Sequence, residues 1–134
     1  MKTFDVQAVE ISAGFAKAFE YIANPRNLPS WTSAFRSVSD GKALLETPAG
    51  CAEIALEVRA FREQGTVDWV MRFPDQTSET AYSRLTSAGE GKCIFTFVLM
   101  APNVPLERLE GELEQQSATL SRELVKLRQI LNQS

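Results

Sequence analysis

The side chains that could move a proton in this chain are carboxylates, lysines, tyrosines and cysteines, because its 134 residues include no histidine. This absence excludes Ser-His-Asp and Cys-His nucleophiles and most zinc sites. Cys51 and Cys93 lie far apart in the sequence, so we expect reduced thiols that act as small apolar residues. The sequence has no glycine-rich phosphate loop and no Cys/His cluster, and we predict neither a cofactor nor a metal.

A few polar residues could orient a small molecule within an otherwise apolar pocket. They are Glu10, Tyr82, Arg84, Gln116 and Ser117. Glu10 shares strand parity with Phe4 and Val6 and would then point inward, where a desolvated carboxyl can act as a general acid or base. The alternative for Glu10 is an exposed charge at a strand end, and solvent exposure is the default for Tyr82 and Arg84.

Large apolar residues on the same predicted elements could wall such a pocket, although each could equally belong to a solid core. They are Trp31, Trp69, Met71, Phe97 and Leu120. A buried indole N–H needs an acceptor, which a ligand, a trapped water or a backbone carbonyl could supply. Together with Tyr82, Gln116 and Ser117, these residues form the predicted ligand-binding set.

The element that must support this site is one long helix, predicted over residues 105–131. Its leucines recur in steps of three, four and seven, which places them on one stripe. They are Leu106, Leu109, Leu113, Leu120, Leu124, Leu127 and Leu131. Pro105 suits the first helical turn. Gln116 and Ser117 interrupt the stripe, which indicates either a partly wetted flank or a cavity that these polar side chains face.

The charged residues of this helix are expected on its solvated face. They include Glu112 and Glu123, and Arg108 with Glu112 has the spacing of an i,i+4 ion pair.

The remaining chain reads as strands with two short helices after the first of them. Alternation and turn residues predict strands over residues 3–12, 35–39, 43–47, 51–61, 66–73, 77–86 and 92–101. The short helices are predicted over residues 13–23 and 25–32, separated at Asn24-Pro25. Turns are expected at Asp40-Gly41, at residues 48–50 and at residues 102–103. One-sided strands and a striped helix predict a sheet-on-helix layer in the α+β class.

Composition is that of an ordinary globular protein, with 44% hydrophobic and 23% charged residues, and the length predicts a single domain over residues 1–134. A net charge of −3 gives no electrostatic footprint for nucleic acid. No apolar run approaches the roughly 18 residues of a membrane span, and the first residues lack a signal-peptide pattern. We therefore expect a cytoplasmic protein.

Several local stretches look like the START-like, helix-grip superfamily, which includes the polyketide cyclase/dehydrase and lipid-transport proteins (the SRPBCC group). They are residues 9–13, residues 18–25 with Asn24-Pro25, residues 28–31 ending in Trp31, and residues 91–97. Lys92 and Cys93 stand where a threonine is usual in the superfamily, which leaves the subfamily open. The resemblance covers nearly the whole chain. It implies a curved antiparallel sheet around the C-terminal helix with an apolar cavity between them, and it carries over no catalytic residues.

Three functions follow as hypotheses. The first is binding of a hydrophobic or amphipathic small molecule, such as a lipid, a polyketide-like or a quinone-like compound, in that cavity. The second is a cyclase, dehydratase or isomerase in which Glu10 or Tyr82 moves a proton. The third is a protein-interaction module, favoured by a large exposed apolar patch. Pairing of an edge strand into a homodimer is also open.

Overall fold

A computed structural model describes residues 2–47, 50–101 and 106–132. The elements are β1 (Phe4–Ile11), α1 (Phe15–Ala23), a single 3₁₀ turn (Pro25–Asn27), α2 (Leu28–Trp31), β2 (Phe35–Ser39), β3 (Lys42–Thr47), β4 (Gly50–Phe61), β5 (Thr66–Arg72), β6 (Ser78–Ser87), β7 (Cys93–Met100) and α3 (Leu106–Asn132). The predicted order of strand, short helices, meander and long helix is confirmed.

The strands form one antiparallel sheet in the order β1-β7-β6-β5-β4-β3-β2. Each strand from β2 to β7 pairs with its sequence neighbour, and β1 closes the far side by pairing with β7. The sheet curves around α3, so the predicted α+β helix-grip class is confirmed. Strands β1 and β2 are its two edges.

The short helices differ from their predicted extents for local reasons. Helix α1 begins at Phe15 rather than at residue 13, because Gly14 is still extended (φ −68°, ψ 155°). The second helix is divided, since the Asn24 side chain accepts a hydrogen bond from the Arg26 N–H at 3.1 Å and starts a 3₁₀ turn before α2. The predicted turns at residues 48–49 and 102–103 and the helix start at Pro105 lie outside the described residues.

Helix α3 lies on the concave face of the sheet beside β1, and its chain runs in the same direction as β1. The Gln7 side-chain N–H donates to the Ser117 carbonyl at 2.8 Å, and the Ser12 N–H donates to the Asn132 side chain at 2.8 Å. The predicted leucine stripe is buried at Leu109, Leu113, Leu120, Leu124, Leu127 and Leu131. The side chain of Leu106 is not among those described.

Strand β1 shows which parity faces the core. Val9 and Ile11 are buried, whereas Phe4 and Val6 are about half exposed on the outer face of the sheet. Of the two interpretations of Glu10, the exposed charge is confirmed and the inward-pointing carboxyl is wrong, because its parity partners themselves face outward. Glu10 is exposed and pairs with Lys92, with 3.5 Å between carboxylate oxygen and ammonium nitrogen.

Candidate functional site

A pocket of about 530 Å³ lies between the concave face of the sheet and the middle of α3, and α2 with the following loop forms one side of it. Strand β5 contributes Trp69 and Met71, β7 contributes Phe97 and Leu99, and α3 contributes Leu120. These strand positions point inward because each has the parity of a buried residue on its own strand. The space is therefore enclosed mainly by apolar side chains.

Aromatic rings form the floor of the pocket and its junction with the core. Trp69 stacks on Phe97 with ring centroids 5.9 Å apart, and Trp31 meets Trp69 edge-on at 6.3 Å. Trp31 also packs at 88° against Phe95, a fully buried residue that does not line the pocket. This cluster is continuous from the pocket wall into the packed interior.

The two tryptophans carry buried donors without acceptors. Trp31 is 2% exposed and Trp69 is 3% exposed, and neither indole N–H has a hydrogen-bond partner among the described residues. An unpaired buried donor costs about 1–3 kcal/mol. Both residues line the pocket, but their indole nitrogens have almost no accessible surface, so these donors do not open onto it.

One flank of α3 gives the pocket its polar side. Glu112, Gln115, Gln116, Thr119 and Glu123 recur at helical spacing beside the leucine stripe and all line the space. Gln116 is half-buried there. Its position agrees with the interpretation that a cavity opens where Gln116 and Ser117 interrupt the leucine stripe of α3.

Carboxylates surround the pocket, and they differ in their partners. Glu46 pairs with Arg36 at 3.0 Å and Glu112 pairs with Arg108 at 3.3 Å, the latter in the predicted i,i+4 arrangement. Glu79, also on the lining, forms no ion pair among the described residues.

Two of these carboxyl groups have shifted pKa values. Desolvation raises the pKa of Glu79 above its usual range. Burial also raises the pKa of Glu123, although the Ser33 N–H donates to its carboxylate and Arg122 lies nearby, which both oppose the rise. A negative charge is therefore less well solvated at the half-buried Glu123, whereas Glu79 is exposed and the effect there is smaller.

The structure brings most of the predicted ligand-binding set to one place. Trp31, Trp69, Met71, Phe97, Gln116 and Leu120 all line the pocket. Two members do not. Tyr82 lies on the outer face of β6 because Ser83 and Leu85 take the inward positions. Ser117 turns toward β1, where its hydroxyl contacts Asp5. Arg84 is also outside, and its guanidinium donates to the Gln64 carbonyl at 3.0 Å.

Several lining residues escaped the sequence analysis. Glu79 and Ala81 share parity with the buried Leu85, and this signal could have located them on the inner face of β6. Glu112 and Glu123 were assigned to the solvated face of the helix, yet both line the pocket. Their position three or four residues from Gln116 or Leu120 was the available signal.

Other chemistry is sparse in the described part of the chain. No group of three or more Cys, Asp or Glu side chains there is arranged to hold a metal ion. Neither cysteine forms a disulfide: Cys51 is exposed, and the buried Cys93 thiol lies 3.4 Å from the Ala13 carbonyl, with burial raising its pKa. None of the helices in residues 2–47, 50–101 and 106–132 is long and apolar enough to span a membrane.

Comparison with solved structures gives full-length matches at low sequence identity. A START superfamily protein from Mycobacterium smegmatis superposes with a TM-score of 0.68 at 12% identity, covering 98% of this chain and 99% of that one. The chain has the START-like fold. The Zhui aromatase/cyclase from Streptomyces sp. R1128 matches with a TM-score of 0.60 at 8% identity, over 92% of this chain and 87% of that one.

A third START-like match is the Aha1 dimer from Colwellia psychrerythraea, with a TM-score of 0.64 at 12% identity over 98% of this chain and 97% of that one. No protein-family model matches the sequence, and no curated protein matches it. At these identities the likeness concerns the START-like fold alone.

Proposed function

We propose that this protein binds a hydrophobic or amphipathic small molecule in the pocket between the sheet and α3. The observation that carries the proposal is a 530 Å³ space whose wall includes the stacked rings of Trp69 and Phe97. Small-molecule sites span about 300–1,000 Å³ and combine apolar walls with a few polar groups.

The wall favours a flat or ring-containing ligand over a purely branched one. Trp69 and Phe97 are stacked with 25° between their planes, and aromatic rings prefer such offset contacts with further rings. A polyketide-like or quinone-like compound has both flat rings and carbonyl acceptors. The aromatase/cyclase among the structural neighbours is compatible with this class, and a lipid chain is the other candidate.

A matched pair of substitutions tests whether binding uses this pocket. Ala81 lines it, opposite Trp69 on β5, whereas Ala8 is exposed on the outer face of β1. The probe is N-phenyl-1-naphthylamine, an uncharged aromatic molecule whose fluorescence rises in apolar surroundings. We expect wild type and Ala8→Phe to bind it and Ala81→Phe to lose most binding while keeping the wild-type circular dichroism spectrum. Equal binding by all three proteins would refute this location.

An enzyme of the cyclase, dehydratase or isomerase type would need an ionisable group at the ligand. Glu10 and Tyr82 are on the outer face of the sheet, so they are unsuited to that role. Any proton transfer in the pocket would fall to the carboxyl groups of Glu79 or Glu123, which line it and have raised pKa values. Binding remains the first proposal because it needs no reactive group.

A second function, self-association, is favoured by the outer face of β1, β7 and β6. On this face, Val98 of β7 lies between Val6 of β1 and Tyr82 of β6, and Phe4 pairs with Met100 in the next row. Val98 is half-buried, and the other four side chains are 45–49% exposed. We propose that this outer patch, defined by these five residues, joins two copies of the chain. One structural neighbour is described as a dimer.

Light scattering after size-exclusion chromatography tests this second function. Val6→Lys places a charge in the outer patch, and Leu44→Lys makes the same kind of change at an exposed apolar residue on β3. We expect a dimer for wild type and Leu44→Lys and a monomer for Val6→Lys. A monomeric wild-type protein at about 100 µM would refute self-association.

A further inference from the structure

The charged side chains that line the pocket are all of one sign. Its described lining includes Glu46, Glu79, Glu112 and Glu123 and contains no lysine or arginine. A pocket that binds a carboxylate or phosphate group normally supplies arginine or lysine to pair with it. The lining of this pocket offers such a group only repulsion from side-chain charges.

Neighbouring arginines offset only part of this negative charge. Arg36 and Arg108 lie outside the lining and are engaged by Glu46 and Glu112. Glu123 has the Ser33 backbone N–H and a weak favourable interaction with the more distant Arg122. Glu79 has no basic partner among the described residues, and it lies opposite Met71 on the apolar inner face. The uncompensated charge is therefore centred on Glu79 and Glu123.

The aromatic wall acts in the same direction. The faces of Trp and Phe rings carry partial negative charge and attract cations, and this attraction strengthens when water is excluded. An uncharged polar end brings no second negative charge beside the carboxylates.

We propose that the pocket selects amphipathic ligands whose polar end is cationic or uncharged and rejects those that end in a carboxylate or phosphate. This inference rests on the proposed small-molecule function and specifies the ligand class. Free fatty acids and acidic phospholipids are excluded by it. Amines, alcohols, ketones and phenols of similar size are accepted.

Three probes with the same carbon chain test the selectivity: decylamine, 1-decanol and decanoate, at about pH 8 and low salt. The readout is intrinsic fluorescence, because the only two tryptophans of the chain both line the pocket. We expect decylamine to bind at least about tenfold more tightly than decanoate, with decanol between them. Added salt should narrow the gap, since it screens charge interactions.

Variants assign the selectivity to its residues. In the double variant Glu79→Gln/Glu123→Gln, the ratio of decylamine to decanoate affinity should fall below about threefold. Glu90→Gln removes one negative charge in the turn between β6 and β7, outside the lining, and should leave the ratio at the wild-type value. An unchanged ratio in the double variant would overturn the assignment to these carboxylates.

Failure of the inference is distinguishable from failure of the proposed function. If decanol and decylamine both leave wild-type tryptophan fluorescence unchanged, both the binding function and the selectivity built on it are refuted. If decanol binds and decanoate binds as tightly as decylamine or more tightly, the pocket stands as a binding site and the charge selectivity is refuted.

Discussion

The two halves of helix α3 cover the same sheet in different ways. Toward its C-terminus, Leu127 and Leu131 belong to a set of fully buried side chains with Ile11, Cys93 and Phe95. Around its middle, the flank beside Leu120 is polar and faces a 530 Å³ pocket. A single element therefore stabilises the fold with one half and borders the pocket with the other.

This contrast shows how a small α+β protein can keep a cavity without losing its core. Protein interiors are normally packed to crystal-like density, and empty space costs contacts on every surrounding side chain. Here the packed half and the pocket are joined by Trp31, which contacts Phe95 on one side and Trp69 on the other. The packed half of the molecule can thus compensate for the contacts that are missing at the pocket.

The largest expected effect comes from truncating one buried leucine in each of the two regions of α3. Leu127→Ala should lower the free energy of unfolding by about 3 kcal/mol, because the fully buried side chain leaves a cavity in packed surroundings. Leu120→Ala should cost less, since Leu120 already borders open space and fewer contacts are lost. Urea unfolding followed by circular dichroism measures both. A Leu120 variant as unstable as the Leu127 variant would mean that the middle of α3 is packed as densely as its end.

A smaller effect compares a satisfied buried polar group with an unsatisfied one. The Ser83 hydroxyl donates to the Val67 carbonyl at 2.6 Å and Ser83 is buried, so Ser83→Ala should cost about 1 kcal/mol. Trp69→Phe removes an indole N–H that has no partner among the described residues. The gain from deleting that donor should offset the smaller ring, leaving stability within about 1 kcal/mol of wild type. A loss of several kcal/mol at Trp69 would show that its N–H is hydrogen-bonded in solution.

The fold was predictable because its signals are repeated along the chain. The leucine stripe of α3 and the alternation of β4, where Ile54 and Leu56 are buried, each rest on several residues that agree. Boundaries moved by only a few residues, where one side chain such as Asn24 or one extended glycine decides the outcome. A pattern that rests on several residues still predicts the element when a single residue shifts its boundary.

The site was only partly predictable, because a pocket depends on how elements meet. Strand parity predicts Trp69 and Phe97 on the inner face, and on β6 the same parity selects Glu79 rather than Tyr82. Gln116 and Ser117 both interrupt the leucine stripe, so their sequence positions do not show which of them faces the pocket. Strand β1 distinguishes them: the Gln7 side chain donates to the Ser117 carbonyl, and the Ser117 hydroxyl hydrogen-bonds to Asp5. Ser117 therefore faces β1 rather than the pocket.

The smallest effects compare a carboxyl group at the seam between β1 and α3 with one on the pocket. Hydrogen bonds from Gln7, Lys2 and Ser117 lower the pKa of Asp5 to about 2. The charged form is therefore favoured by folding, and this stability is present above the ordinary pKa and lost as the pH falls through about 2. Asp5→Asn should cost about 1 kcal/mol at pH 7, allowing for solvent screening, and progressively less toward pH 3.

Glu79 should show the opposite sign. Desolvation raises its pKa, so its folding contribution is fully present below the ordinary pKa and is lost as the pH rises through the folded-state value. Relative to wild type, Glu79→Gln should therefore gain stability from pH 3 to pH 7, by less than Asp5→Asn loses it because the Glu79 side chain is exposed. Urea unfolding of wild type and both variants across this range gives the two slopes. If the stability change of both variants has the same sign of slope with pH, the Glu79 carboxyl is as well solvated or paired as that of Asp5. The negative charge of the pocket would then not be centred on Glu79.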